Sequence, residues 1–252
     1  MYIKTTNSTN TLLKELLAKG DRRVSKDELF YVRADFQTAG RGQTGNSWES
    51  EKGKNLLCSI LLPPRKNPFE LNMIVSVAVQ RLLGDDFTIK WPNDIYWRDK
   101  KVAGILIENA IIGSEVKYSI AGIGLNVNQT EWRSNAPNPV SLKQITGKEQ
   151  DLDALMEQLL KEVKSALDED VREAYKRHLY RREGFWPFVE REVSTDPTMN
   201  VKGEELRVKS GELRDAFFMA RIEDVLPTGE IILRDENNQQ RKYHFKQIRY
   251  IV

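Results

Sequence analysis

Apolar and polar positions alternate along this chain with periods that change from segment to segment, and the changes mark out its elements. Ser8-Thr9-Asn10 ahead of Thr11 to Lys19, with Gly20 behind, predicts a capped helix with a glycine stop. Leu29 to Ala34 reads as a strand, and Asn55 to Leu62, ended by Pro63-Pro64, as a short buried strand. Phe69 to Leu83 predicts a mostly apolar helix closed by Gly84. Four short strands follow: Thr88 to Trp91, Ile95 to Trp97, Lys101 to Glu108 and Tyr118 to Val127. Pro92-Asn93-Asp94 and Ile112-Gly113-Ser114 are turn signals among them. Asn135 to Pro139 reads as a proline-rich loop, and Ser141 to Ile145 as a short helix. From Leu152, apolar residues at Leu155, Met156, Leu159, Leu160, Val163 and Leu167 predict one amphipathic helix running to about Arg182.

Past Gly184 the pattern becomes that of short strands: Val201 to Val208, Phe217 to Val225, Ile231 to Asp235 and Tyr243 to Ile248. Leu226 to Gly229 and Glu236 to Asn238 punctuate them, as in a small antiparallel barrel. We therefore expect an α+β fold in two parts: residues 1–190, with a mixed sheet and flanking helices, and residues 195–252 as a small β domain.

Composition narrows the chemistry. With 39 Lys+Arg against 37 Asp+Glu, the net charge of +2 is too small to argue for nucleic-acid binding. The single cysteine, Cys58, excludes an intrachain disulfide and suits a reducing compartment; we expect a soluble, cytoplasmic protein, with no signal peptide and no membrane span. Two histidines, His178 in a charged helix and His244 in a predicted strand, leave no ordinary His/Cys metal cluster, and both read as surface or packing residues. Cys58, inside an apolar strand, reads as a packed thiol. The chemistry must rest on lysine, arginine, carboxylates, backbone amides and a bound ion.

Three patches carry candidate chemistry. The loop Gln37-Thr38-Ala39-Gly40-Arg41-Gly42-Gln43-Thr44-Gly45-Asn46-Ser47-Trp48 contains G-x-G-x-x-G but opens no helix, so the dinucleotide fingerprint fails on context, and the P-loop pattern is absent. What remains is either an ordinary surface turn or a flexible anion loop, with backbone amides and the Arg41 fork facing a carboxylate or phosphate. Next, Lys90-Trp91-Pro92-Asn93-Asp94 forms a tight turn, and Lys101 starts an apolar strand. Simple alternation places Lys101, Ala103 and Ile105 on one face and Val102, Gly104 and Leu106 on the other. Lys101 is then a solvated strand end or a charge aimed into a pocket. Finally, Gly122 and Gly124 inside an apolar strand, followed by Asn126, signal a bulge or the close approach of a ligand.

The order and wording of these patches resemble the biotin protein ligases. Members of that family carry Ser-Thr-Asn, here Ser8-Thr9-Asn10; G-R-G-x-x-G followed by Trp, here Gly40 to Gly45 with Trp48; K-W-P-N-D, here Lys90 to Asp94; K-x-x-G-I-L-x-E, here Lys101 to Glu108; and G-x-G-x-N, here Gly122 to Asn126. The resemblance implies a class II synthetase-like catalytic fold with a C-terminal SH3-like barrel. It implies that biotin and ATP form biotinyl-5'-AMP, with Mg²⁺, and that biotin then passes to a lysine of a biotin carboxyl carrier protein. It gives Lys101, Arg41 and Asp94 catalytic roles. It assigns biotin to Ser8, Thr9, Asn10, Gln37, Gly40, Arg41, Gly42, Lys101, Gly104 and Gly122, and the nucleotide to Arg41, Gln43, Trp48, Lys90, Asn93, Asp94 and Asn126. The metal ligands are not specified, and the resemblance is compatible with a homodimer.

This sequence departs from the family pattern where many members have a second loop arginine and it has Gln43, and where several have arginine and it has Asn46. A charged hydrogen bond is worth about 1.5–3 kcal/mol, so one cation fewer should weaken retention of the intermediate unless another group replaces it. Bifunctional members carry an N-terminal helix-turn-helix; Ser8 comes almost at once, so no operator binding and no DNA partner are expected. The nearest alternative is a lipoate or octanoate ligase or transferase of the same fold.

Overall fold

The computed structural model describes residues 1–24, 29–43, 46–65, 67–113, 115–134, 138–190 and 217–251. The predicted strand Val201 to Val208, and with it Thr44, Gly45, Ser114 and residues 135–137, lie outside the described residues.

Strands β1 (Tyr2–Thr6), β2 (Tyr31–Gln37), β3 (Leu56–Leu62), β4 (Phe87–Lys90), β5 (Asp94–Trp97), β6 (Lys100–Ile112) and β7 (Glu115–Leu125) pair into one sheet. Their spatial order is β1-β2-β3-β7-β6-β5-β4. Only β1 and β2 run parallel, so the sheet is mixed. Strand β3 is buried along its whole length, and this is why it reads as an apolar run interrupted only by Ser59. Its Leu56, Cys58, Ile60 and Leu62 join the main core, which includes residues of helices α2 (Pro68–Leu83) and α4 (Leu152–Leu167). Leu61 turns to the other face and packs with Leu13 and Leu16 of α1 (Thr9–Ala18), Val32 and Ile120. Two helices thus cover one face and one short helix the other, and the middle of the second face stays open for a site.

Local chemistry sets the helix ends. Asn67 accepts from the Phe69 amide at 3.0 Å, Pro68 occupies the first turn, and Gly84, at φ 100°, ends α2. Asp151 caps α4 by accepting from the amides of Asp153 and Ala154. Helix α3 (Leu142–Thr146) has a full capping box between Ser141 and Gln144.

Several expectations are corrected. The helix predicted from Leu152 to Arg182 is two helices, α4 and α5 (Arg172–Arg177). The break falls at Asp168-Glu169-Asp170, where three anions meet the negative end of the α4 dipole and Asp170 turns to accept from the Arg172 amide. Ser8 stands at the N-cap of α1, but its side chain makes no cap bond. Strand β1 was not read from the sequence. Nor was β8 (Trp186–Glu190), which belongs to the second sheet and puts the start of that sheet before residue 195.

The second sheet is antiparallel, with β8, β9 (Phe217–Val225), β10 (Ile231–Asp235), β11 (Gln240–Tyr243) and β12 (Ile248–Tyr250) in the order β11-β10-β9-β8-β12. It stands where the SH3-like barrel was expected. The single strand predicted over Tyr243 to Ile248 is instead the end of β11, a turn, and the start of β12, so His244 lies outside any strand. The two sheets meet through aromatic residues. Trp91 Nε1 donates to the Gly229 carbonyl at 3.0 Å, Phe245 packs edge-on against Trp91, and Tyr96, Tyr180, Tyr250 and Phe188 form a chain of ring contacts.

Candidate active site

The cleft sits on the open face of the first sheet, and its floor is made of glycines. Register pairs Leu106 with Gly122 and Gly104 with both Gly124 and Asp94, so these residues share one face. The floor is occupied by the protein's own side chains. A Cβ at Gly122 would come within 2.5 Å of Asn10 Oδ1; one at Gly124 or Gly104 would meet the Trp48 indole at 2.4 Å or 2.9 Å. Both strands keep regular pairing here, so Gly122 and Gly124 mark close approach rather than a bulge. The room beside Gly104 and Gly122, expected to border a ligand, is taken up by Trp48 and Asn10. The cleft that remains has a volume of about 130 Å³, below the roughly 300 Å³ at which ordinary small-molecule pockets begin, so a ligand as large as an adenylate would have to displace Trp48.

Lys101 reaches this face because simple alternation fails. The pairing of β5 with β6 slips between Ile95 and Tyr96, so that Ile95 faces Ala103 while Tyr96 faces Lys101. Val102 and Ala103 both enter the core, and Lys101 lands on the same side as Gly104, whose Cβ position lies 3.2 Å from Lys101 Nζ. The predicted faces are thereby corrected, and the lysine is aimed into a pocket. Its Nζ pairs with Asp94 Oδ1 at 2.7 Å and lies 5.7 Å from the centroid of the Trp48 ring.

Polar groups from α1 and β2 line the opposite wall. Gln37 Oε1 accepts from the Thr9 amide at 2.8 Å and from its hydroxyl at 3.1 Å. Ser59, buried in β3, donates within reach of Thr9 Oγ1 (2.7 Å) and Asn10 Oδ1 (2.5 Å). Ser8, Thr9 and Asn10 are themselves buried. The glycine loop closes the top. Gly40 to Gln43 and Asn46 to Trp48 run antiparallel, with the Gly42 amide on the Asn46 carbonyl at 2.9 Å and the Trp48 amide on that of Gly40 at 3.0 Å. Arg41 donates to Thr11 Oγ1 at 3.2 Å and Glu108 Oε2 at 3.3 Å, and Gln43 donates to Asn93 Oδ1 at 3.0 Å.

Most of the residues singled out from the sequence meet here. Ser8, Thr9, Asn10, Gln37, Arg41, Gly42, Gln43, Trp48, Asp94, Lys101, Gly104 and Gly122 line the cleft. Gly40 sits behind it, its Cβ position 2.7 Å from the Trp48 carbonyl. Lys90, Asn93 and Asn126 are not among the lining residues. Lys90 is held between the rings of Tyr96 and Tyr250 and donates to Tyr96 OH at 3.0 Å; burial lowers its pKa to about 8, against the opposing pull of Asp94. Asn93 is buried and donates to the Ile105 carbonyl at 2.9 Å, which fixes the turn that carries Asp94. Asn126 is buried against Lys101, and its Oδ1 has no hydrogen-bond partner among the described residues. Cys58 is a packed thiol, its pKa pushed up by burial to about 12, which leaves no thiolate nucleophile near neutral pH.

Two contributors were missed. Ser59 is the one polar residue of β3, and Glu108 ends the apolar stretch Val102 to Ile107 of β6. Since a buried polar group is almost always bonded, that placement was the available signal. Among the described residues, no group of three or more His, Cys, Asp or Glu could hold an ion, and Asp94 is the one carboxylate lining the cleft. No helix among them is long and apolar enough to cross a membrane.

Residues 2–126 match the model of the biotin/lipoate A/B protein ligase family. The bifunctional ligase/repressor BirA of Escherichia coli (strain K12) is 28% identical over 176 residues, 66% of this chain and 51% of that protein. The biotin–[acetyl-CoA-carboxylase] ligase of Paracoccus denitrificans is 32% identical over 130 residues, 46% of this chain and 54% of that one. The matched regions thus span about half the length of these relatives. Among solved structures, the biotin protein ligase from Aquifex aeolicus in complex with biotin and ATP superposes with a TM-score of 0.72 at 24% identity, covering 100% of this chain and 98% of that chain. The likeness in structure establishes the shared fold.

Proposed function

From the match of residues 2–126 to the model of the biotin/lipoate A/B protein ligase family, we propose that the chain is an ATP-dependent biotin protein ligase. The observation that carries the reading is the convergence of the Lys101–Asp94 pair, Arg41 on the glycine loop and the Ser8, Thr9 and Gln37 wall on a single cleft.

In the first step a biotin carboxylate oxygen attacks the α-phosphorus of ATP, and pyrophosphate leaves. Two anions must approach, so the barrier is largely electrostatic. Lys101, at the bulge of β6, faces the carboxylate and α-phosphate, and Arg41 closes over the same group with the loop amides. The ureido ring offers two N–H donors and one carbonyl; Ser8, Thr9 and Gln37 supply hydroxyl and amide groups of the matching kinds. Gln43, Trp48, Asp94 and, behind them, Asn126 border the nucleotide. Asn126 Oδ1, a buried acceptor without a partner among the described residues, suits an amino-group donor.

Magnesium is tested by the donor set. A single carboxylate, Asp94, suits an ion that keeps its waters and arrives on the phosphates of ATP, and would not make a cage of its own. Such an ion would neutralise phosphate charge beside Asp94.

In the second step the amine of a carrier lysine attacks the acyl carbonyl of the adenylate, AMP leaves, and an amide forms. Asp94 positions the incoming amine. Water would destroy the mixed anhydride, so the loop that carries Trp48, its indole displaced from the floor by the ligand, serves as a lid. We place the protein in the cytoplasm with a biotin carboxyl carrier protein as its partner, assign catalysis to the first sheet and its helices, and treat the second sheet, from β8 onward, as a separate β domain.

The test is ATP–pyrophosphate exchange. Biotin is expected to drive it in the presence of Mg²⁺. Exchange driven by octanoate or lipoate, with none from biotin, would replace this reading with that of an acyl ligase of the same family.

A further inference from the structure

Glu108 is not among the residues lining the cleft, yet two groups that line it, Asn10 and Arg41, end on its carboxylate together with Lys14. Lys14 Nζ donates to Oε1 at 2.7 Å, Asn10 Nδ2 to Oε2 at 2.7 Å, and Arg41 to Oε2 at 3.3 Å. Asn10 is gripped at both ends, since its Oδ1 accepts from Ser59 at 2.5 Å. Glu108 therefore fixes which face of the Asn10 amide meets the floor. Arg41 is held more loosely. Its 3.3 Å contact is longer than the 2.7–2.9 Å usual for a charged N–H···O bond, and its side chain is 44% exposed against 21% for Glu108.

We propose that Glu108 is a positioning residue, the seat of the Arg41 guanidinium while the cleft is empty. The proposal rests on the ligase reading for the identity of the anion that displaces it. A substrate carboxylate or phosphate presents Arg41 with the same kind of acceptor that Glu108 does. Arg41 exchanges one anion for another, and Glu108 is not orphaned when it leaves, because Lys14 and Asn10 remain on both of its oxygens. Gln43, bonded to Asn93 at 3.0 Å, keeps the loop anchored to the turn before Asp94 while Arg41 changes partner. Glu108 thus competes with substrate for Arg41 and holds the empty loop in register.

The probe is Glu108→Gln, which retains an acceptor for Asn10 and removes the charge that holds Arg41. In ligand-free protein, amide exchange at Gly42 and Trp48 is expected to quicken about threefold or more as the loop loses its seat. The Arg41→Ala variant should quicken it alike, and the double variant should add nothing. In turnover, the KM for biotin is expected to fall by about three- to tenfold with little change in kcat, because a larger fraction of Arg41 is available to substrate. In an Arg41→Ala background Glu108→Gln should leave KM unchanged. Unaltered exchange at Gly42 and Trp48 would overturn the proposal, as would a KM effect that persists without Arg41, since that would make Glu108 a simple prop of α1. If the exchange result holds but the wild-type protein binds no biotin, the seat stands and the ligase reading fails.

Discussion

Lys101 carries the largest share of the account at the scale of single residues. Its removal takes away a cation facing the forming charge and strips Asp94 of its partner at 2.7 Å. Lys101→Ala is expected to slow adenylate formation by about tenfold to a hundredfold, toward the lower end of what losing one oxyanion donor costs elsewhere; pyrophosphate exchange reads it directly, and a wild-type rate would remove Lys101 from the chemistry. Gly124 gives a steric counterpart. A methyl there would sit 2.4 Å from the Trp48 ring, so Gly124→Ala must expel the indole from the floor. The expected result is a red-shifted tryptophan emission in the free protein. Lys90 gives a pH test. Its folded pKa is lowered to about 8, chiefly by burial, from an ordinary 10.5. Between those values the unfolded chain holds the proton that the folded chain has lost, so stability attributable to this group rises with pH across that window. Thermal melts at pH 7 and pH 9 should show wild type gaining on Lys90→Met as pH rises. Most of the candidate residues named by motif wording meet in one cleft, but that Lys90, Asn93 and Asn126 fall outside its lining was not legible, because it depends on tertiary contacts such as Tyr250 over Lys90.

Among the elements, those with a clear period and a clear stop were legible, and those fixed by a local exception were not. Helix α2 combined an apolar run with Asn67, Pro68 and Gly84 at its ends and matched its prediction to within one residue. The amphipathic pattern of α4 was equally clear, but it continued in register across Asp168 to Asp170, where electrostatics at the helix end and the Asp170 side chain break the backbone. The cap at its other end is testable. Asp151 satisfies two amides, and Asp151→Ala is expected to cost about 1 kcal/mol, measured by urea unfolding. The bulge in β6 mattered most and was invisible to alternation. One extra residue sends both Val102 and Ala103 inward and turns Lys101 to the cleft. Strand β1 was missed because Ile3 is the one aliphatic residue in its five, too little for a visible alternation, and it is held at the sheet edge by backbone pairing with β2.

The molecule as a whole joins two sheets around the Lys90 to Asp94 turn. Trp91 bonds Gly229, Phe69 packs against the same glycine, and Tyr250 covers Lys90, so the second sheet supports the turn that presents Asp94. None of these pairings could be read from one-dimensional pattern, since β8 and β12 are short and carry no motif. Trp91→Phe, which keeps the ring and deletes the donor, should weaken this junction by about 1 kcal/mol in equilibrium unfolding. The central claim is that this assembly makes an acyl adenylate of biotin and passes it to a carrier lysine. Intact-mass measurement of a biotin carboxyl carrier domain after incubation with the protein, biotin, ATP and Mg²⁺ tests it most directly. The account requires a gain of one biotinyl group on a single lysine, dependent on ATP and strongly slowed by Lys101→Ala. An unmodified carrier with biotin, or one modified only when octanoate or lipoate is supplied, would contradict it.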